Sequence, residues 1–574
     1  MTTRSTPRMR YDQRVPMRDG VTLSADIYLP PDGDGPWPAI LQRTPYDNTA
    51  ALWQNIAIYF ARRGYAFVSQ DVRGRCDSDG EWVPMVNEGP DGYDTIEWIA
   101  EQPWCSGKVG MMGGSYGGLV QWTAAKHRPP HLAAMVSTAA AGRWMEELPF
   151  RFGCTMPYWI WWLNLVGGRT LQQGIHDHPE VPDWPAIFTH RPLRDLDKAL
   201  GRTNTVFHTW LAHDTFDEYW QKPSLIGHFS GIDVPVLHIT GWFDGDQWGE
   251  LHYWHGMVNE SPAADRQWLL IGPWDHAGTR TPVQRLGGRD FGQSAVPDLN
   301  AIHLRFFDKW LKGIDNGQET DKRVRIFTMN SNEWQEGDVW PPAGTRVVPF
   351  YFHSNGRANT LGGDGTLSTE PPSGDEPPDT YTYDPDDPTP SVPDLSGLPF
   401  GDYPFDTRWR QRRDDVLVYT SAPFEEDTQI TGHPFITLFA ASDCSDTDWH
   451  VTLCDVLPNG RADELTSGCM RAAYRGGLYA QPSAITPGAV IEYRLELMAT
   501  SNLFRKGHRL RVTVASANYP ASARNPNTNA KPGDDDIWVV AHNTVHHSAM
   551  YPSRLEAPVA PLPGPTLPRS EEGV

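Results

Sequence analysis

The sequence predicts an α/β domain with a helical insertion, followed by an all-β domain, and three observations carry that prediction. As far as Val136, short all-apolar runs alternate with segments of helical periodicity, which is how a parallel sheet covered on both faces reads. From Arg143 to about Ile232 the alternation gives way to an aromatic, His-rich stretch broken by Pro and Gly. Beyond about Arg323 the helical period is lost, and short alternating runs follow at the spacing of a sandwich or jelly roll. The expected divisions are 1–142 and 233–322 for the two parts of the sheet domain, 143–232 for a cap, and 323–574 for the β-sandwich.

Taken in order, residues 11–37 read as an opening hairpin. Met17-Arg18-Asp19-Gly20 is the turn, and Val21–Tyr28 alternates with period two. Ala39–Leu41 is a short buried strand leading to Arg43-Thr44-Pro45-Tyr46. Residues 51–63 carry Leu52, Ile56, Ala57, Tyr59 and Phe60 on one helical stripe, with Gly64 placed for a C-terminal cap. Tyr65–Ser69 is the next strand, ahead of Asp71-Val72-Arg73-Gly74, and Asp91 can cap a helix reaching about Gln102. The apolar residues Val109, Met111 and Met112 then enter Gly113-Gly114-Ser115-Tyr116-Gly117, followed by a helix to about His127 and the strand Leu132–Val136.

Within the insertion, Thr205–Trp210 and Phe216–Trp220 are helix-like. The sheet pattern resumes with strands Val234–Thr240 and Gln267–Ile271, and an amphipathic helix near Ala301–Lys312 closes it. The all-β part is expected to include Val324–Met329, Val347–Phe352, Asp415–Thr420, Pro434–Ala440, Trp449–Val456, Gly488–Leu497, Arg509–Ser516 and Asp536–Ala541. Residues 362–404 form an irregular connection crowded with Pro, Gly and Asp, and the Pro-rich tail Ala557–Val574 is expected to fray.

Composition narrows the function. With 49 Lys and Arg against 71 Asp and Glu, the 574 residues carry a formal net charge of −22, which argues against nucleic acid or anionic lipid as a partner. No apolar run approaches the roughly 18 residues a membrane helix needs, and the N-terminal residues lack the apolar region of a secretion signal. Six cysteines without a C-x-x-C pair read as reduced thiols of a cytoplasmic protein, although a bridge among Cys444, Cys454 and Cys469 stays open. Several of the 24 tryptophans gather between Trp144 and Trp162, which suggests packed core and an apolar binding wall.

Gly113–Gly117 fits G-x-S-x-G, in which a strand turns sharply into a helix and holds the serine in strained backbone geometry. That pattern alone is weak in a Gly-rich chain; its place after a central strand and before a helix N-terminus makes Ser115 a candidate nucleophile. Acyl transfer by serine needs a base and an acid that orients it, in the order Ser, Asp/Glu, His for the α/β-hydrolase fold. Asp244 follows the strand ending at Thr240, and His276 follows the strand ending at Ile271, which gives the expected triad Ser115, Asp244 and His276. Asp246 and Glu250 are alternative acids lying further from the strand end, and Asp275 beside His276 is expected to point elsewhere.

The oxyanion needs two donors. The Tyr116 N–H is one. In the absence of a glycine run after the early strand, the Tyr46 hydroxyl is the candidate for the other, though a lone Tyr after Pro also suits packing. The histidine groups 176/178, 252/255 and 546/547 lack a well-placed further ligand, so no metal is expected; no phosphate-binding loop or dinucleotide fingerprint occurs, so no cofactor is expected either.

The set R-T-P-Y (43–46), D-V-R-G (71–74), G-G-S-Y-G-G (113–118), G-W-F-D-G (241–245) and G-P-W-D-H (272–276) resembles the cocaine esterase / Xaa-Pro dipeptidyl-peptidase family of serine hydrolases. That group also holds α-amino-acid ester hydrolases and glutaryl-type cephalosporin acylases. Segments 446–456 and 507–520 resemble its jelly-roll domain. The resemblance implies an α/β-hydrolase domain, a helical cap and a C-terminal jelly roll. It implies Ser115 as nucleophile, His276 as base, Asp244 as orienter, and Tyr46 with Tyr116 as oxyanion hole. Asp71 and Arg73 resemble a structural loop.

Amino-ester hydrolases of the group hold a substrate ammonium with carboxylates, one of them three residues after the serine, where Gly118 stands here. Glu146 and Glu147 at the start of the cap could supply negative charge, but ordinary helix surface is the better reading. With Trp144, Trp159, Trp162 and Phe243 as expected pocket residues, the substrate expected is a small-molecule ester or amide with an apolar or aromatic acyl group. A peptidase, amino-ester hydrolase or β-lactam acylase on the same triad is the alternative, and a non-catalytic carbohydrate-binding protein is a distant third. The sheet-rich C-terminal domain could support a homodimer.

Overall fold

In the computed structural model, which describes residues 6–172, 183–394 and 406–562, ten strands form the sheet that carries the site. From one edge to the other they run Arg8–Pro16, Thr22–Leu29, Ala66–Asp71, Trp37–Thr44, Cys105–Gly114, Leu132–Thr138, Val236–Phe243, Gln267–Asp275, Val324–Thr328 and Glu333–Gly337. The strands from Ala66–Asp71 to Val324–Thr328 pair in parallel, and antiparallel strands close both edges.

Successive side chains of a buried strand serve opposite helical layers. Val109 and Met111 face the layer holding Ile96, Leu119 and Trp122, whereas Met112 joins Phe60, Phe67 and Phe307 on the other face. That second layer includes the helices Ala51–Ala61 and Leu299–Trp310, whose Phe60 and Phe307 rings meet edge to face at 5.9 Å. The parallel arrangement brings the carboxyl ends of four neighbouring strands to one edge: those ending at Gly114, Thr138, Phe243 and Asp275. Loops gathered at such an edge are where open α/β sheets build sites.

The insertion covers this edge with short helices, among them Tyr158–Leu165, Thr205–Ala212 and Glu218–Gln221. Tryptophans hold it together: Trp144 stacks on Trp220 at 5.6 Å and Trp159 meets Trp210 edge-on at 5.2 Å. Because these rings belong to the same apolar cluster as Val109 and Leu119, the insertion is fastened to the sheet domain by continuous core.

The C-terminal part is an all-β jelly roll of thirteen paired strands among the described residues. Its strand Asp448–Val456 is fully buried and is flanked by Ala462–Arg471 and Arg509–Ala515. One apolar cluster joins this domain to Trp242, Leu251 and Trp254 of the sheet domain, so the two share a core. No helix among the described residues is long and apolar enough to cross a membrane.

Several elements depart from expectation. Val324–Thr328 extends the first sheet instead of opening the second, so an edge at 322 cuts through that sheet; Phe327 packs on Phe291 and Trp334 there, and a β-run does not announce which sheet it joins. Ala462–Arg471 escaped the alternation test because Asp463, Glu464 and Ser467 interrupt it. Burial of its acids is made possible by ion pairs, Glu464 with Arg410 at 2.9 Å and Asp463 with Arg461 at 2.6 Å. Strand Ala541–His546 begins where Asp536–Ala541 was expected to end, because Arg194 ties Asp534 and Asp536 to the insertion. Residues 557–560 do not fray; they lie in strand Arg554–Ala560, paired with Arg346–His353, and the tail from 563 lies outside the described residues. Helix Glu88–Ala100 begins before Asp91, whose carboxylate is taken by Arg73 at 2.6 Å. Glu147 is fully buried rather than on a surface, and its carboxylate accepts the N–H groups of Gly142, Arg143 and Gly249 at 2.8–3.0 Å.

Candidate active site

Ser115 stands between strand Cys105–Gly114 and helix Tyr116–Lys126 with φ 60° and ψ −126°, a conformation rare for a residue with a Cβ. Its N–H donates to Thr138 O at 2.9 Å, tying the turn to the neighbouring strand. Gly113 adopts φ +153°, and a Cβ there would lie 2.8 Å from Gly117 O. A Cβ at Gly118 would lie 2.8 Å from Ala140 Cβ, so the position expected to hold an ammonium-binding acid has no room for one.

Asp244 and His276 come together from loops after adjacent strands. The imidazole Nδ1 lies 2.7 Å from Asp244 Oδ1, and the fully buried carboxylate also accepts Thr240 Oγ1 at 2.8 Å and the Asp246 N–H at 3.1 Å. With Nδ1 engaged, Nε2 is the nitrogen available for proton transfer. Burial works against ionisation of Asp244, yet the His276 ring and these hydrogen bonds hold its carboxyl below the usual range. His276 shows the converse. Burial and Arg280 push its pKa down, but Asp244 and Asp246 prevail and raise it.

The competing acids divide clearly. Glu250 lies in the core, bound to His238 at 2.9 Å and Ser137 at 2.7 Å. Asp275 caps its own turn through the Gly278 N–H. Asp246 stays at the site, 3.8 Å from His276 Nδ1, with its carboxyl pushed up to about 6 chiefly by burial.

Tyr46 reaches the serine from the loop after Trp37–Thr44. Its hydroxyl accepts Trp162 Nε1 at 2.9 Å and lies on the wall of the cavity that Ser115 also lines. Burial raises the phenol's pKa, only partly opposed by Trp162, Arg280 and Ser115, so it keeps its proton at neutral pH. Buried Arg75 fixes the loop by donating to Pro45 O at 2.9 Å. Tyr116 begins a helix, so its N–H has no intrahelical acceptor. Its hydroxyl is locked between the Glu88 carboxylate and the Met85 N–H, both at 2.8 Å.

Ser115, His276, Tyr46, Tyr116 and Asp246 line one cavity of about 340 Å³. Trp159, Trp162 and Phe243 line it as expected; Trp144 does not, being buried against Trp220. Sequence reasoning weighed Asp246 only as a rival acid, and it missed the contributions of Arg151 and of Leu465, Ser467 and Met498 from the jelly roll. The ordered acids at 244 and 246 were a signal for Asp246; nothing in the sequence linked residues 465–498 to the serine.

All six cysteines are free thiols. Among the described residues two groups could offer ligands to a metal, Cys154 with Asp448 and His450, and Asp47 with Asp71 and Cys76, each with atoms within 4.8 Å of one another. Neither includes Ser115 or His276. Of the histidines weighed from sequence, His547 is bound to Asp379 and Glu376, His252 is half-buried with its pKa down to about 4 through desolvation, and His176 and His178 lie outside the described residues.

The chain matches the model of the X-Pro dipeptidyl-peptidase (S15) family over residues 19–278 and that of the X-Pro dipeptidyl-peptidase C-terminal non-catalytic domain over 316–556. It is 35% identical to the cocaine esterase of Rhodococcus sp. (strain MB1 Bresler) across 95% of this chain and 97% of that one. Among solved structures it resembles an α-amino acid ester hydrolase with TM-score 0.82 and 26% identity, covering 98% of both chains. An aminopeptidase from a marine sediment archaeon (Thaumarchaeota) shares the fold, with TM-score 0.84 at 24% identity over 98% of this chain and 97% of that one.

Proposed function

We propose that this chain, which belongs to the cocaine esterase / X-Pro dipeptidyl-peptidase family and is a serine hydrolase acting on esters, cleaves small esters with an apolar or aromatic acyl group through an acyl-enzyme on Ser115. The observation that carries this reading is the meeting, in one aromatic cavity, of an elbow serine, an Asp244–His276 pair and a protonated phenol.

In this mechanism His276 Nε2 takes the proton of Ser115 Oγ as the hydroxyl attacks the ester carbonyl. Asp244 holds the ring in the Nδ1–H tautomer and stabilises the imidazolium. The Tyr46 hydroxyl and the Tyr116 N–H donate to the oxyanion. Collapse expels the alcohol, protonated by His276, and a water activated by the same nitrogen then releases the acid. Tight packing at Gly118 supports an ester without an α-ammonium group. A fluorophosphonate probe should add one adduct per chain, located by peptide mass spectrometry on Ser115. Labelling that persists on another serine when Ser115 is replaced would overturn the assignment.

The raised pKa of His276 sets a pH dependence. The base works only when neutral, so kcat/KM should fall as pH drops through a midpoint above the ordinary histidine value of about 6.5. Asp246→Asn removes one of the two carboxylates that raise it, and should move this acid limb to lower pH. A midpoint that does not move would show that Asp246 has no electrostatic hold on the base.

A further inference from the structure

The aromatic cavity has a second, smaller chamber behind it. This annex, of about 70 Å³, opens into the jelly roll and is lined by Arg151, Arg410, His450, Ser467 and Asn518 among others. Arg151 and Ser467 belong to both walls. The apolar room beside Ser115 therefore shares a wall with a polar one. A ligand filling both would have an apolar body and a polar end.

The charges in the annex are unbalanced. Arg410 is satisfied, held by Glu464 at 2.9 Å. Arg151 is not. Its guanidinium lies over the Trp248 ring at 4.8 Å and makes one long hydrogen bond, Nη2 to Gly245 O at 3.4 Å. Its Nε is buried without an acceptor, and no carboxylate among the described residues is ion-paired with it. A guanidinium presents a planar fork of donors matched to carboxylate, and leaving buried donors unpaired is costly. His450 senses the same field: burial, then Arg410 and Arg151, push its pKa down to about 3, so it stands neutral and adds no charge. Its Nε2 is likewise buried without a hydrogen-bond partner, the Asp448 carboxylate lying 4.0 Å away.

We propose that the annex is an anion subsite, and that the preferred substrate is an ester with a carboxylate at the end remote from the scissile bond, received by Arg151. This rests on the serine esterase reading and sharpens it.

The test uses matched probes in two arms. One compares p-nitrophenyl hydrogen glutarate with its methyl ester, placing the anion on the acyl side. The other compares 4-acetoxybenzoate with its methyl ester, placing it on the alcohol side. In at least one arm the wild-type enzyme should prefer the acid by about tenfold or more in kcat/KM, expressed in KM. Arg151→Met should abolish that ratio, and Arg151→Lys, which keeps charge but not the fork, should retain part of it. Equal turnover of acid and methyl ester in both arms, or a preference that survives Arg151→Met, would overturn the subsite. Should the Met variant fail to fold, competition decides: glutarate must inhibit the wild-type enzyme more strongly than monomethyl glutarate, and equal inhibition overturns the proposal. Hydrolysis of the methyl esters without preference for the acids sinks the subsite alone, whereas no hydrolysis of any probe sinks the esterase reading with it.

Discussion

Replacing Ser115 with alanine should lower kcat on p-nitrophenyl esters by a factor on the order of 10⁶, the scale seen when a triad nucleophile is removed. The loss is chemical and leaves the backbone conformation as it was. The Cβ that suffers at φ 60° is present in both residues, so the substitution adds no backbone strain, and the N–H bond to Thr138 O remains. Stability measured by thermal unfolding should therefore change little. Only the hydroxyl is lost, and with it the acyl-enzyme route; the oxyanion donors and the aromatic cavity stay and leave a small residual rate. Retention of most activity in a folded Ser115→Ala variant would remove the serine from the mechanism.

Tyr46→Phe comes next in size. If the phenol donates to the oxyanion, its removal should raise the barrier by about 2.7–4 kcal/mol, read as a loss of roughly 10² to 10³ in kcat with a smaller change in KM. A packing role predicts a different pattern. The ring would survive in Phe, Trp162 Nε1 would lose its acceptor, and the effect would fall on stability while kcat held. The two measurements, kcat and unfolding temperature, thus separate a transition-state donor from a residue that supports Trp162.

Much of the site was legible because its chemistry constrains chain order. A strand before Ser115, a helix after it, and acid and base each after a later strand leave few choices, and Asp244 and His276 do meet at 2.7 Å. Legibility failed where burial was made possible by partners distant in sequence. Glu464 looked incompatible with a buried strand until Arg410 supplied its charge partner, and Glu147 looked like surface until three backbone N–H groups were found around it. Trp144, Trp159 and Trp162 were indistinguishable as an aromatic cluster. Helical geometry and the position of Trp220 put the first into core and the other two on the cavity wall.

The sequence by itself determined the local elements, the two kinds of sheet and the ordered candidates at Ser115, Asp244 and His276, because apolar period, turn residues and chain order are all written along one dimension. The tertiary structure alone decided which side chains share a cavity. Folding the jelly roll against the sheet domain brings Leu465, Ser467 and Met498 to the serine's cavity, leaves Arg151 Nε buried without a hydrogen-bond partner among the described residues, and sets Asp246 beside His276. Those are distances between segments far apart in the chain, and only the shared core that packs the domains together fixes them.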